Sequence, residues 1–413
     1  MNWLYGPISR GIVRRLGWLS LITLLAATAQ PAAAALAPPK PPTPREQLKA
    51  LTDKAESGDA QAQYDLAQVY FDGLFDQKAD EKAGLSWITR SAEAGNATAQ
   101  YDLAVAYRLG HGVKPDAAQA LGWYEKAANQ NRDEARAFVC HAYTQSATVK
   151  PDWPKALPYC QTAAEKGDAG AQYAMGMAYA EGRGITPDNT LALASLKKAA
   201  DQGHAAALTE LGQIYMIGDL APRDETEAVN LFKKAARRGD RQAVRLLAHQ
   251  YETGSGTPTD IGRAARLYRI LARDDSDAAA RDWLKAHPEA PEDTVLELDK
   301  IPRDIMFYAT ETNDPRFQTM DIHGYYDQLS LSAYPFDAQN DRVGGRASAE
   351  CRFTASGDLD DCVLTEEDPK DYGFGASLMR IMDRLGMSGN KTDWAKGYDG
   401  KSLRLSMRWK PDS

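Results

Sequence analysis

One arrangement of apolar and polar positions recurs down much of the chain, most plainly in Ala99-Gln-Tyr-Asp-Leu-Ala-Val-Ala-Tyr107. Residues 1, 5 and 9 of this nonapeptide lie four apart, and so on one face of a helix. Its small first residue returns at Ala62, Ala99, Ala135, Ala171, Ala207, Ala243 and Ala279, after one step of 37 residues and then five of 36. In the first six copies position 5 is apolar (Leu66, Leu103, Val139, Met175, Leu211, Leu247) and position 6 is small (Ala67, Ala104, Cys140, Gly176, Gly212, Ala248). Position 9 is tyrosine throughout: Tyr70, Tyr107, Tyr143, Tyr179, Tyr215 and Tyr251. A small residue beside an apolar one is expected where a second helix approaches the first backbone closely.

That second helix is legible in Ala120-Leu-Gly-Trp-Tyr-Glu-Lys-Ala-Ala128 and Ala228-Val-Asn-Leu-Phe-Lys-Lys-Ala-Ala236, with apolar residues three and four apart and lysines outward. Between the helices stand Gly110-His-Gly112, Gly182-Arg-Gly184 and Gly254-Ser-Gly256. Glycine there ends the first helix at positive φ without steric cost. Each copy is therefore a helical hairpin, too small to bury its own apolar stripe, and the copies must stack as a solenoid. The pattern resembles the Sel-one-like repeats, relatives of the tetratricopeptide arrays, over residues 46–286. The resemblance implies a protein-binding scaffold.

The code fades after Ala279-Ala-Arg-Asp-Trp-Leu284, expected to cap the stack, and residues 287–333 form a linker with no clear pattern. Alternation with period two resumes in Ala347-Ser-Ala-Glu-Cys-Arg-Phe353 and Leu359-Asp-Asp-Cys-Val-Leu364, a hairpin turning at Ser356-Gly357 that sets Cys351 opposite Cys362. An amphipathic helix opening at Gly373-Phe-Gly-Ala follows, with Phe374, Leu378, Ile381, Met382 and Leu385 inward, then a last strand, Ser402-Leu-Arg-Leu-Ser-Met-Arg-Trp409. The predicted fold is an all-α solenoid of about six hairpins plus a capping helix, then a small α+β domain ordered strand, strand, helix, strand. This second part, residues 334–413, with Tyr334-Pro335, Gly345-Arg346, the cysteine hairpin, Gly373-Phe-Gly375 and the closing Trp409, is similar to the C-terminal domain of TonB-type energy transducers. That resemblance implies contact with outer-membrane receptors or other envelope proteins through an exposed terminal strand: Ser402, Leu403, Arg404, Leu405, Ser406, Met407, Arg408 and Trp409. A free strand edge offers backbone groups for a partner strand.

The N-terminus changes the picture by suggesting a compartment. Arg10, Arg14 and Arg15 precede an apolar run from Leu16 to Ala29 and a small-residue stretch ending at Ala35, the layout of a secretory signal over residues 1–35. The run is short of the ~20 residues a spanning helix needs, so cleavage near Ala35 and a periplasmic location are expected. An uncleaved inner-membrane anchor, as in an energy transducer, is the alternative. Residues 36–45 form a proline-rich spacer. Four cysteines in two local pairs suit an oxidising compartment. Cys140 holds the small position of the third copy and Cys160 the place of Tyr124 in its second helix, so a bridge is expected there as well. Two buried thiols, or a metal site with His141, are the alternatives, the last with no further ligand nearby in sequence.

Nothing in the residues supplies chemistry. No nucleophile elbow or phosphate loop occurs, and His111, His141, His204, His249, His287 and His323 are isolated, each expected in a loop or on the surface. The net charge of −8 argues against nucleic acid. No cofactor, metal, small-molecule substrate or enzymatic activity is expected. Positions 4 and 7 of the first helix share a face and vary freely: Asp65/Gln68, Asp102/Val105, Phe138/His141, Ala174/Met177, Glu210/Gln213 and Leu246/His249. They form the candidate ridge for partner binding. N-terminal sequencing of the mature protein checks the compartment: a new terminus near Leu36 is expected, and an intact Met1 would favour the anchor.

Overall fold

The computed structural model describes residues 42–75, 78–146, 149–273, 277–292, 295–297, 307–309, 345–354, 359–369, 374–387 and 401–409. The signal segment and residues 36–41 of the spacer lie outside these residues, and Pro44 and Arg45 at its end already belong to the first helix. The chain divides into two compact units, residues 1–142 and 143–413.

The first unit begins with α1 (Pro44–Glu56), whose Thr43 cap and Glu46 form a reciprocal capping box. There follow α2 (Ala60–Asp72), α3 (Glu81–Glu93), α4 (Ala97–Leu109), α5 (Ala117–Asn129) and most of α6 (Asp133–Gln145). The second unit continues with α7 (Trp153–Glu165), α8 (Ala169–Glu181), α9 (Asn189–Asp201), α10 (Ala205–Ile217), α11 (Glu225–Ala236), α12 (Arg241–Thr253), α13 (Ile261–Ala272) and the capping helix α14 (Ala278–Ala286). The solenoid of helical hairpins is thus as expected, with α1 added in front.

The repeated positions do what their chemistry requires. Ala62, Ala99, Ala135, Ala171, Ala207 and Ala243 are buried, as are the six apolar residues at position 5. At position 6 the approach is close: a Cβ on Gly176 would meet Leu196 at 2.7 Å, and one on Gly212 would meet the Phe232 ring at 2.5 Å. The tyrosines act through their backbone. In each of the six hairpins the tyrosine carbonyl accepts a hydrogen bond of 2.8 to 3.0 Å from the N–H of an aspartate: Asp80, Asp116, Asp152, Asp188, Asp224 and Asp260. Each of these aspartates caps the second helix with its side chain. Tyr70, Tyr107, Tyr179 and Tyr215 keep half-buried rings, whereas Tyr143 and Tyr251 are buried.

The seventh copy departs from its expected register. Asp59, Asn96, Asp168 and Asp240 each cap a first helix by accepting from the N–H of the buried alanine three residues on, and Asp277 does the same for Ala280. Ala280, not the exposed Ala279, is therefore the equivalent residue. His204 lies in a loop as expected, and there its Nδ1 caps α10 by accepting from Ala207 N–H at 3.3 Å while its ring stacks on Tyr173.

The second unit ends in a four-stranded sheet ordered β1 (Val295–Glu297), β6 (Ser402–Trp409), β3 (Gly345–Phe353), β4 (Leu359–Asp368). β3 runs antiparallel to both β4 and β6, and β1 adds to β6 in parallel. A second pair joins β2 (Phe307–Ala309) to β5 (Leu385–Met387). Both β1 and β2 come from the stretch that showed no pattern in sequence. Helix α15 (Phe374–Arg384) covers one face of the sheet, burying Phe374 and Leu378 beside Ala347 and Ala349. Gly345 and Gly375 are required here, because a Cβ on either would run into Phe374 or Leu364. None of the four cysteines is free: Cys351 bonds Cys362 as expected, and Cys140 and Cys160 are both disulfide-bonded.

Two glycines in helical backbone should respond oppositely to a methyl group. Gly122→Ala, with nothing within 4 Å of the new Cβ, should stabilise by about 0.5–1 kcal/mol. Gly212→Ala should cost about 1–3 kcal/mol, and thermal unfolding of the two variants beside the parent checks both.

Candidate interaction surfaces

In the first unit the ridge is continuous from copy to copy. Asp65, Gln68, Asp102, Val105 and Phe138 are half-buried and His141 is exposed. Tyr64 donates its hydroxyl proton to Asp102 Oδ2 at 3.0 Å, tying one first helix to the next. Around them lie Tyr101, edge-on to Tyr124 at 5.4 Å, and Phe138, stacked on Tyr124 at 3.8 Å. The Arg132 guanidinium sits 5.1 Å from the Tyr101 ring centre, and that of Arg108 sits 5.9 Å from Phe138. Aromatic rings with polar tips and arginine are the side chains that carry protein interfaces. Burial pushes the Asp102 carboxyl up to about 6, outweighing its hydrogen bond from Tyr64 and the charge of Arg132.

In the second unit Met177, Glu210, Gln213 and Leu246 are half-buried and His249 is exposed, while Ala174 is buried and leaves the ridge. Burial raises the Glu210 carboxyl, with Glu181 and Asp240 adding to the effect. His249 Nδ1 lies 3.4 Å from Glu252 on the same helix.

The terminal strand is not the free edge expected of it. β6 lies between β3 and β1, which pairs Val295, Leu296 and Glu297 with Ser402, Leu403 and Arg404. The reason lies just after the capping helix, where the chain returns to the sheet and takes the outer edge of β6 over these three residues. Ser402, Leu403, Leu405 and Met407 are buried, Arg404 is committed to Glu350 at 3.1 Å, and Ser406 shares a hydrogen bond of 2.9 Å with Ser348. Arg408 and Trp409 pair through their backbones with Arg346 and Gly345.

The most elaborate polar site among the described residues was not anticipated. It joins the last hairpin to the face of the sheet opposite α15. Tyr251 donates its hydroxyl to Asp361 Oδ1 at 2.7 Å, Arg263 reaches Asp361 Oδ2 at 2.9 Å, and Lys233 lies 3.1 Å from the same carboxylate. Arg266 donates to the Asp361 carbonyl. Arg266 also stands 3.9 Å from the fully buried Glu350, which accepts from Arg273 at 2.8 Å and from Arg404. Burial would raise the Asp361 carboxyl, yet Lys233 and Arg263 hold it below its ordinary value. Its contribution to seating the sheet is therefore complete above the usual carboxylate range and is lost as pH falls through that depressed value. In sequence the lysines of the second helices read only as an outward face, and Asp360 and Asp361 only as part of an alternating strand.

Among the described residues no group of three or more His, Cys, Asp or Glu side chains could hold a metal ion, and no helix is long and apolar enough to cross a membrane.

The family model described as Sel1 repeat matches residues 60–96, 97–131, 133–168, 169–204, 205–240 and 242–276. No protein with a curated description matches. Among solved structures the chain is similar to a protective antigen present in uropathogenic Escherichia coli strains displaying an SLR fold, at 33% identity and TM-score 0.46, over 59% of this chain and 51% of that one. It thus spans about half the length of that protein. It is also similar to a Sel1 repeat protein from Oxalobacter formigenes (27% identity, TM-score 0.39, 59% of this chain and 80% of that one). An immunity protein from Pseudomonas aeruginosa matches at 20% identity and TM-score 0.30, over 59% of this chain and 86% of that one.

The raised Asp102 pKa fixes the sign of a pH effect. A carboxyl held at about 6 in the fold stabilises fully below its unfolded value near 3.9, and that contribution is lost as pH rises through 6. Asp102→Asn keeps an acceptor for Tyr64 and does not ionise. It should be more stable than the parent at pH 7 by roughly 1–3 kcal/mol, the difference closing toward pH 4, as followed by urea unfolding across that range.

Proposed function

The chain belongs to the Sel1 repeat family, and from that premise we propose that it is a non-catalytic adaptor of the bacterial envelope, exported to the periplasm, whose first-helix ridge holds a protein partner. Sel1 repeat proteins are generally scaffolds for protein interaction. The observation that carries the proposal is the split between constant and variable positions. Positions 1, 5 and 6 are buried in six copies, while positions 4 and 7 change from copy to copy and, apart from Ala174, reach the surface in whole or part. Packing fixes the first set. The second is left to answer to what it touches.

Export is supported by the apolar segment ending near Ala35 and by cysteines that are all in disulfides. The C-terminal α+β module, with its likeness to TonB-type domains, is the natural place for a second envelope protein. With β1 on β6 over Ser402–Arg404, strand addition there would have to use the edge beyond Arg404. That arrangement gives no specific support to a force-transducing role.

Deleting residues 402–409 would remove a central strand and confound folding with binding, so the test uses the ridge. Glu210→Lys combined with Gln213→Lys should leave thermal unfolding within a few degrees of the parent. The same variant should lose the envelope protein that the tagged parent captures. Capture of an identical set by parent and variant would overturn the ridge as the binding surface.

A further inference from the structure

The last hairpin holds a segment of its own chain, and the hairpin before it carries the same groove. β4 lies along α11, α12 and α13: Asp361 binds Tyr251 and Lys233, Val363 packs beside Val244 and Leu271, and Leu364 lies over Gly239. Counting back 36 residues reaches Lys197 for Lys233, Gly203 for Gly239, Leu208 for Val244, Leu211 for Leu247 and Tyr215 for Tyr251. The geometry repeats with the sequence, since the lysine ammonium stands 5.9 Å from the tyrosine ring centre in both copies. This earlier groove, between α9 and α11, measures about 520 Å³ and is lined by residues of the repeats alone.

Its charges differ in an informative way. Glu227 stands where the last hairpin has Arg263, so the end near Tyr215 does not offer an acidic group the same welcome. At the other end the exposed Lys234 and Arg238 line the wall and outnumber the one acid there, Asp201, and the Arg238 guanidinium lies directly over Gly203, the place that Leu364 takes on Gly239. We propose that this groove docks an extended segment of a partner protein, with an aliphatic side chain set over Leu208 and Leu211 and acidic residues following it, against Lys234 and Arg238. The chain's own β4 is the template, for Val363 and Leu364 are followed by Glu366, Glu367 and Asp368. An extended segment suits a trough between helices, and opposite charge fixes its direction.

The site is separate from the ridge. On α10 the residues Leu208, Leu211 and Tyr215 face away from Glu210 and Gln213 by helical spacing, so failure at one surface leaves the other standing.

The probe is a labelled peptide of residues 362–368 with Cys362→Ser, which leaves out Asp360 and Asp361, titrated into the intact chain and followed by fluorescence anisotropy. One saturable site is expected. It should weaken at least about tenfold in the Lys234→Glu, Arg238→Glu double variant, and by as much when the peptide itself carries Glu366→Lys and Glu367→Lys. The altered peptide keeps the test sound if the double variant does not fold. A photo-crosslinker at the Val363 position should mark Leu208 or Leu211. No saturable binding, indifference to both charge reversals, or crosslinking to Val244 or Leu271 through displacement of the resident β4, would each overturn the proposal.

Discussion

Each hairpin closes on one backbone hydrogen bond, from the N–H of the aspartate that opens the second helix to the carbonyl of the tyrosine near the end of the first. The bond sets where the chain turns back. The same aspartate then satisfies free N–H groups at the helix start with its side chain, work that in an exposed helix is worth about 1 kcal/mol. With the turn fixed, the small residue at position 6 of the first helix meets the second at a single height, and glycine stands there where the opposing side chain is Leu196 or Phe232. Stacking, ridge and groove all inherit their spacing from this closure.

The sheet is seated on the last hairpin by charge as much as by apolar contact. Glu350 and Asp361 are buried, and each is met by more than one cation. Taking such groups out of water is costly, and the arrangement is stable only while all partners remain. Removing one member of a buried pair typically costs 3–5 kcal/mol. Val363, sharing a core with Val244, Leu247 and Leu271, supplies the apolar part. What the ions add is a single way for the sheet to sit.

The array was legible because its period is long and its core positions are strict: tyrosine and alanine in phase cannot arise from composition. The role of the tyrosines was less so. Six tyrosines stand in register at position 9, yet four of the rings are half-buried and the shared feature is a carbonyl, which no side chain announces. The aspartates at 80, 116, 152, 188, 224 and 260 recur every 36 residues and would have exposed the closure directly. The slip from Ala279 to Ala280 follows from the cap, since Asp277 rather than an apolar periodicity decides where α14 begins. Of the candidate surface, the ridge could be placed from helical spacing alone. The burial of β6 could not, because three residues of a patternless stretch supply its neighbour. The ionic seat of the sheet was hidden for a similar reason: its members on the repeats and on the sheet lie from 77 residues (Arg273 to Glu350) to 128 residues (Lys233 to Asp361) apart and look solvated one at a time.

The parallel pairing of β1 with β6 bears on how the molecule is made. A ribosome delivers the helices in an order that lets a hairpin, within each unit, dock on the one before it as it emerges. The sheet enjoys no such order, for β6, which lies between β1 and β3, is synthesised after the other three strands. Until then the hairpin of β3 and β4 presents one bare side, a flank prone to pairing with other nascent chains. Lodging β4 against the finished repeats covers one face of that hairpin during the interval, so the array serves as a cradle for its own tail before it serves any partner.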